Sequence, residues 1–353
     1  MKMDRRRFLL AALAGAATAA KNASAQTLID RGFAKVIRIA DGVYATLADE
    51  AKGPQCLSNG GVIVGRDAVL IVEGHFQPAG AAFEIEVAQT FTRAPIRAAV
   101  DTHFHLDHTF GNLGYAEQRI PIIAHERVTS LMKEQYAASK GQKARLLAPF
   151  EQKVAAAVGA ADTARATSDL DAIKWMYESI DAATLAFPTE LLSPGDLPKR
   201  IDLGGLTALI EFHAGHTPAD LIVRVPERDV VFAGDLLFNG SYPVAVDADM
   251  VAWRRVLDRF AAYDRRTQFV PGHHAVCGRG VVREQAALFD DLYAHAERMM
   301  RAGATAEEAE RRYIVPKRFQ NHEIGPSWFT IGAAMRSYFA RRASPRPAAL
   351  QLV

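Results

Sequence analysis

The chain has 353 residues, about half of them apolar and 23% charged, with 42 Lys and Arg against 40 Asp and Glu. That length and composition suit a soluble globular protein with a well-buried core and exclude a fibre or a disordered chain. Two cysteines, Cys56 and Cys277, are too few for a disulfide scaffold, and separate thiols are favoured over a pair.

The N-terminus reads as an export signal. Arg5, Arg6 and Arg7 precede Phe8 and Leu9, an apolar Ala-rich run extends to Ala20, and Ala23-Ser24-Ala25 has the small-x-small pattern of a cleavage site. Paired arginines point to the twin-arginine (Tat) route, and residues 1–25 are taken as the signal peptide. A membrane anchor is disfavoured, because spanning ~30 Å of hydrocarbon takes about 20 apolar residues. Cleavage removes five bases (Lys2, Arg5, Arg6, Arg7, Lys21) and one acid (Asp4), turning a net charge of +2 into one near −2. The mature protein is expected to be periplasmic or secreted, with no stable membrane anchor. Its mild acidity leaves no basic footprint for nucleic acid, so the expected partner is a small-molecule substrate.

From Val36 to Val72 the chain alternates like a β meander: VIRI, VYATL, GVIVG and AVLIV, punctuated at Asp41-Gly42, Asn59-Gly60-Gly61 and Gly65-Arg66-Asp67. A helix is predicted over Pro78–Phe91 and buried strands at Ile96–Val100 and Pro121–Ala124. Residues 126–190 turn Ala-, Lys- and Glu-rich with no convincing strand, and predict an insertion of two or three helices. Strands return at Arg200–Leu203, Thr207–Phe212, Leu221–Val225 and Val230–Ala233. A helix near Asp249–Tyr263, a strand at Gln268–Val270 and a helical C-terminal region follow. The last dozen residues, with Pro345 and Pro347, are expected to fray. Strands in two blocks, each followed by helices, predict a layered α/β sandwich.

The chemistry gathers at the ends of these strands. Asp101-Thr102-His103-Phe104-His105-Leu106-Asp107-His108 packs three imidazoles and a carboxylate into six residues. His103 and His105 alternate, so in extended backbone they project to one side and can grip one ion. Asp107 and His108 follow where the chain turns and can face a second. Gly215-His216-Thr217, Gly234-Asp235 and Pro271-Gly272-His273 repeat the device, each a strand exit delivering a metal-type side chain. Imidazole nitrogen with carboxylate oxygen is the ligand set of hydrolytic zinc sites. A buried carboxylate such as Asp235 requires pairing or a metal. No Gly-x-Ser-x-Gly element supplies a side-chain nucleophile.

Through the His-x-His-x-Asp-His motif and these three turns, the chain resembles the metallo-β-lactamase superfamily over roughly residues 35–280. The resemblance implies a four-layer αββα sandwich with a helical insertion and the metals at one edge of the two sheets. The corresponding layout is a domain over 35–300, with residues 301–353 as a C-terminal helical extension and frayed tail. It assigns His103, His105 and His216 to a first metal, Asp107, His108 and His273 to a second, and Asp235 to the bridge. Two zinc ions are expected, with iron or manganese as alternatives. Asp107 and Asp235 would anchor and orient a water whose pKa falls from about 15.7 to about 7 on the metals. The implied activity is hydrolysis of a small-molecule amide, lactone, ester or thioester, with a β-lactam among the options. The alternatives are an iron-dependent redox enzyme of the persulfide-dioxygenase kind and a binding protein without catalysis.

Three departures stand out. Asp235 replaces the Cys or Ser of the zinc β-lactamase subclasses and matches glyoxalase-II-like thioesterases and lactonases. Glu73 stands where the family commonly has Asp, and His274 replaces the usual glycine after the metal-binding histidine. Glu73, His75 and His274 are therefore candidates for substrate contact or for support behind the ligands. His75, His125 and His213 are each more simply read as structural.

Overall fold

The computed structural model describes residues 26–49, 52, 53, 55–324, 327 and 329–343. Residues 1–25, read from the sequence as a signal peptide, and residues 344–353, with Pro345 and Pro347, lie outside them.

Two sheets carry the molecule. The first contains β1 (Thr27–Asp30), β2 (Ala34–Ala40), β3 (Val43–Ala48), β4 (Gly60–Val64), β5 (Val69–Val72), β6 (Ile96–Val100), β7 (Ile122–His125) and β8 (Glu190–Leu192), in that spatial order. It is antiparallel from β1 to β5 and parallel from there to β8. The second contains β9 (Lys199–Asp202), β10 (Thr207–Phe212), β11 (Leu221–Val225), β12 (Val230–Phe238), β13 (Gln268–His273) and β14 (Cys277–Gly278). Only its β12–β13 pair is parallel.

Period-two alternation explains the layers. In β5, Leu70 and Val72 face the core between the sheets, with Val43, Ile63, Ile210, Val223 and Phe232. Val69 and Ile71 face outward beneath α1 (Pro78–Phe91), where they meet Ala81, Phe83 and Val87. In β12, Val230 and Phe232 point inward, while Val231 and Ala233 point to the outer helical layer. Two short helices, α2 (Leu106–Thr109) and α3 (Asn112–Glu117), follow β6.

The insertion is a hairpin of two helices, α4 (Val128–Ala155) and α5 (Ala160–Ala182). Its apolar contacts reach the site-bearing edge: Tyr136, Tyr177 and Ile180 pack with Phe76, Leu106 and Phe110, which flank the histidine motif. The outer face of the second sheet is covered by α6 (Met250–Ala262), α7 (Arg279–Arg301), α8 (Ala306–Arg312) and α9 (Ile331–Ala343). In α6, Trp253, Val256, Leu257 and Phe260 form one helical stripe, and the Asp249 carboxylate caps the start by accepting from the amides of Val251 and Ala252.

The predicted helix at 78–91 matches the observed one, and the predicted meander and return strands appear in order. Three short strands, β1, β8 and β14, were not anticipated, and β8 begins at Glu190, at the end of the stretch read as strandless. The strands read as ending at Ala233 and Val270 run on to Phe238 and His273. Asp235 and His273 therefore lie within strands, where the β12–β13 register breaks around Gly234. The two cysteines are separate thiols, Cys56 buried and Cys277 partly so. Burial pushes the Cys277 thiol up to about 12. Among the described residues no helix is long and apolar enough to cross a membrane.

Candidate metal centre

The loop after β6, the β10–β11 turn, β12 and β13 deliver their side chains to one edge of the sandwich. His103, His105, His216 and Asp235 form one group of potential ligand atoms, and Asp107, His108 and His273 form another. Within each group those atoms all lie within 4.8 Å of one another. In the first, His105 Nδ1 is 3.1 Å from His103 Nε2 and 3.0 Å from His216 Nε2. In the second, Asp107 Oδ2 is 3.2 Å from both His108 Nε2 and His273 Nε2.

Asp235 stands between them. Its Oδ2 is 3.5 Å from His216 Nε2 and 3.5 Å from His273 Nε2, and its Oδ1 is 3.4 Å from His108 Nε2. Glycine makes this possible. A Cβ on Gly272 would lie 1.8 Å from Asp235 Oδ1, and Gly234, at φ +52°, turns the strand where a Cβ would strike Thr102.

The donor set fits metal ions. Ligands 2.0–2.1 Å from a tetrahedral zinc lie about 3.3 Å apart, which is the spacing seen here. Imidazole nitrogens facing one another at 3.0 Å repel unless a cation or proton lies between. His108 Nε2 and Asp235 Oδ1 are buried with no hydrogen-bond partner among the described residues, as atoms reserved for an ion would be.

Electrostatics separates the two groups. Burial, joined by the neighbouring imidazoles, holds His103 well below the usual imidazole value and His216 down at about 3, so both present neutral lone pairs at pH 7. At His108 burial also pulls down, but Asp107, Glu73 and Asp235 outweigh it and hold the ring well above its ordinary value. Burial pushes Asp107 and Asp235 up, yet the histidines win and both carboxyls sit well below the carboxylate range.

Behind these atoms lies a layer of partners that fixes ring orientation. His105 Nε2 donates to Asp247 Oδ2 at 2.9 Å, and His216 Nδ1 donates to the Val244 carbonyl at 3.0 Å. The Thr102 hydroxyl donates to Glu73 Oε2 at 2.8 Å and accepts from His103 Nδ1 at 3.1 Å. Glu73 Oε2 also lies 2.9 Å from His108 Nδ1. Asp220 holds the His216 turn by accepting from the amides of Gly215 and Thr217 at 2.9–3.0 Å. Asn59 ties the two sheets by donating to the carbonyls of Pro271 and His274.

All seven residues assigned by resemblance thus meet at one place, and Glu73 stands behind His108. The other histidines do not join. His75 is fully buried, with Nε2 3.1 Å from Glu84 Oε1 and Nδ1 3.2 Å from the Ser58 carbonyl. His125 stacks on Phe212, His213 lies between Glu211 and Arg259, and His274 turns its Nε2 toward Glu323. Sequence reasoning missed Asp247, Asp220 and Asn59. Asp220 has a usable signal, sitting just past the His216-Thr217 turn, whereas Asp247 has none.

A family model of the metallo-beta-lactamase superfamily matches residues 53–273. The chain belongs to this superfamily. Its fold is shared by the stereoselective inverting sec-alkylsulfatase Pisa1 from Pseudomonas sp., with a TM-score of 0.61 at 17% identity, covering 87% of this chain and 50% of that one. Metallo-beta-lactamases from Pontibacter korlensis (TM-score 0.52, 14% identity) and Erythrobacter litoralis (0.50, 19%) cover 73% and 74% of this chain and 99% of their own. Among curated proteins, an uncharacterized protein of Mycobacterium tuberculosis is 34% identical over 92 residues, 24% of this chain and 40% of that protein. The chain therefore spans less than half of the curated relatives it matches and half of the alkylsulfatase. Within the superfamily, the fold and the two His/Asp groups suggest a dinuclear metal site and support a metal-dependent hydrolase in general.

Proposed function

We propose that this protein is an exported dinuclear hydrolase that cleaves a small-molecule amide, lactone, ester or thioester. The observation that carries this reading is the Asp235 carboxylate placed 3.4–3.5 Å from histidines of both groups. His103, His105, His216 and Asp235 would hold one ion, and Asp107, His108, His273 and the other face of Asp235 a second. Zinc is the expected metal for this ligand set. Bound there, two such ions supply Lewis acidity and a water that ionises near neutral pH.

The chain's own residues orient the rest. Asp247, Thr102 and the Val244 carbonyl each accept a hydrogen bond from one histidine ring and so aim its other nitrogen inward. Asp107 and Asp235, held ionised, offer acceptors to the attacking water and keep the two groups at a fixed separation. The insertion hairpin, packed against the Leu106 and Phe110 side, is placed to shape substrate access. Asp235 in place of Cys or Ser weighs against a dedicated β-lactamase. The twin-arginine segment supports a periplasmic or secreted location, and the mildly acidic mature chain supports a small molecule over nucleic acid.

The test is elemental analysis of the purified protein beside a panel of lactone, thioester, alkyl sulfate, phosphoester and β-lactam substrates. Two metals per chain, with turnover of a carbonyl substrate lost on chelation and restored by zinc, are expected. A single tightly held iron with oxygen-dependent sulfur chemistry, or two metals with no turnover of any member, overturns the reading.

A further inference from the structure

Residues 239–249 run from β12 to α6 as an irregular strap, with a one-residue bridge between Ser241 and Glu323. Two of them face the first group of ligands. The Val244 carbonyl accepts from His216 Nδ1 at 3.0 Å, and Asp247 Oδ2 accepts from His105 Nε2 at 2.9 Å. The ring nitrogens left over, His105 Nδ1 and His216 Nε2, are the two that face each other at 3.0 Å. The strap therefore aims two of the first group's donors, and a shift of the strap displaces both. The second group draws on other segments: Glu73 stands beside His108, and the Ser58 hydroxyl donates to the Asp107 carbonyl.

The other side of the strap is held by the C-terminal extension. The Tyr242 amide donates to the Glu323 carbonyl at 2.7 Å, and the Ala245 amide donates to the Phe329 carbonyl at 2.7 Å. In α9 the Ser337 hydroxyl donates to the Ala248 carbonyl at 2.7 Å and accepts from the Met250 amide at 3.1 Å. Arg341 pairs with Asp249, whose carboxylate also caps α6. Val246 and Asp247 form a turn, closed where the Ala248 amide donates to the Ala245 carbonyl at 3.3 Å. Both ends of the turn that carries Asp247 are thus pinned on the extension, Ala245 by Phe329 and Ala248 by Ser337. A segment outside helix and sheet must place its main-chain hydrogen bonds elsewhere, and where they go sets its shape.

We propose that the C-terminal extension is part of the metal centre, and that Ser337 is a positioning residue that orients His105 and His216 for the first metal through the 239–249 strap. The proposal rests on the dinuclear reading above. Ser337 acts at a distance, because its hydroxyl meets the strap one residue after Asp247. That hydroxyl supplies a donor and an acceptor together, which threonine keeps and alanine removes.

The test is a chelator competition that reads the two zinc affinities of the full chain separately. It compares wild type with Ser337→Ala, Ser337→Thr, Asp247→Ala and the Ser337→Ala, Asp247→Ala double variant. Ser337→Ala should weaken one zinc ion, the same one that Asp247→Ala weakens, by about tenfold, the low end of the effect of losing an outer partner. The other zinc affinity should stay unchanged, and Ser337→Thr should return the first to its wild-type level. In the Asp247→Ala background Ser337→Ala should cost clearly less, because part of its route is already gone. No loss in Ser337→Ala, an equal loss of both zinc ions, no recovery in Ser337→Thr, or the loss repeated in full in the Asp247→Ala background overturns the proposal. These affinities need no turnover. The predicted pattern with no substrate cleaved sinks the hydrolytic reading and keeps the positioning role, whereas cleavage with affinities unmoved by Ser337→Ala does the reverse. A wild type that binds no zinc overturns both.

Discussion

Asp247 lies 142 positions from His105, yet its carboxylate accepts from that ring at 2.9 Å. Carboxylate–histidine partners of this kind are worth about 10–100-fold in metal affinity. Asp247→Ala should therefore weaken one of the two metals by about that factor in a chelator competition and leave the other in place. Asp247→Asn, which keeps an acceptor, should do less. Equal weakening of both metals would show that the contact supports the fold and not His105. Protonation separates the two groups further. His108 is held above its ordinary value, so a metal at Asp107, His108 and His273 must expel a proton, and its apparent affinity rises with pH until the metal-free pKa of His108 is passed. His216 at about 3 and His103 well below its ordinary value bring no such competition near neutrality. On dialysis from pH 8 toward 5, metal content should fall from two toward one per chain, with the second group emptying first. Parallel loss of both would contradict this assignment.

Strands made most of the site legible, because His216, Asp235 and His273 each follow an apolar run and a glycine, while His103 and His105 come just after the buried strand Ile96–Val100. The two-residue alternation at His103 and His105, followed by the chain turn at Asp107, is enough to assign the two pairs to different groups. What stayed hidden depends on tertiary pairing. The three-residue β8 exists by pairing with β7, β14 has only two residues, and neither carries enough pattern of its own. Asp247 sits in a loop with no periodicity, placed by the turn from β12 into α6. Gly272 offers the sharpest test at this scale. Gly272→Ala would put a methyl 1.8 Å from Asp235 Oδ1, so the carboxylate must leave its place between the groups. Metal content should drop with little change in circular dichroism, and an unchanged metal count would move Asp235 out of the bridge. In α6, Trp253 is fully buried, donates to the Leu236 carbonyl at 2.8 Å and lies against His216. Trp253→Ala should cost about 3–5 kcal/mol in chemical denaturation, and a loss below about 1 kcal/mol would show that α6 contributes little to the sandwich.

The whole molecule is a sandwich closed by helices on both outer faces, with the candidate metal centre at one edge. Packing the meander against the second sheet brings His103 and His216, far apart in sequence, to ligand spacing, and Asn59 secures the seam through the Pro271 and His274 carbonyls. The proposed export belongs to this scale as well. Replacing Arg5, Arg6 and Arg7 by lysine should strand the protein in the cytoplasm, and the exported form should begin just after Ala25; export unaffected by the replacement would remove the twin-arginine assignment. The central claim, a dinuclear centre bridged by Asp235, is tested most directly by counting metal per chain in wild type and Asp235→Ala while following turnover of the best substrate in the panel. The account predicts two metals in the wild type. In the variant it predicts a fall toward one with the fold retained, and a kcat lower by more than about 100-fold, beyond the cost of losing an outer partner. An Asp235→Ala protein that keeps both metals and near-normal turnover would contradict it.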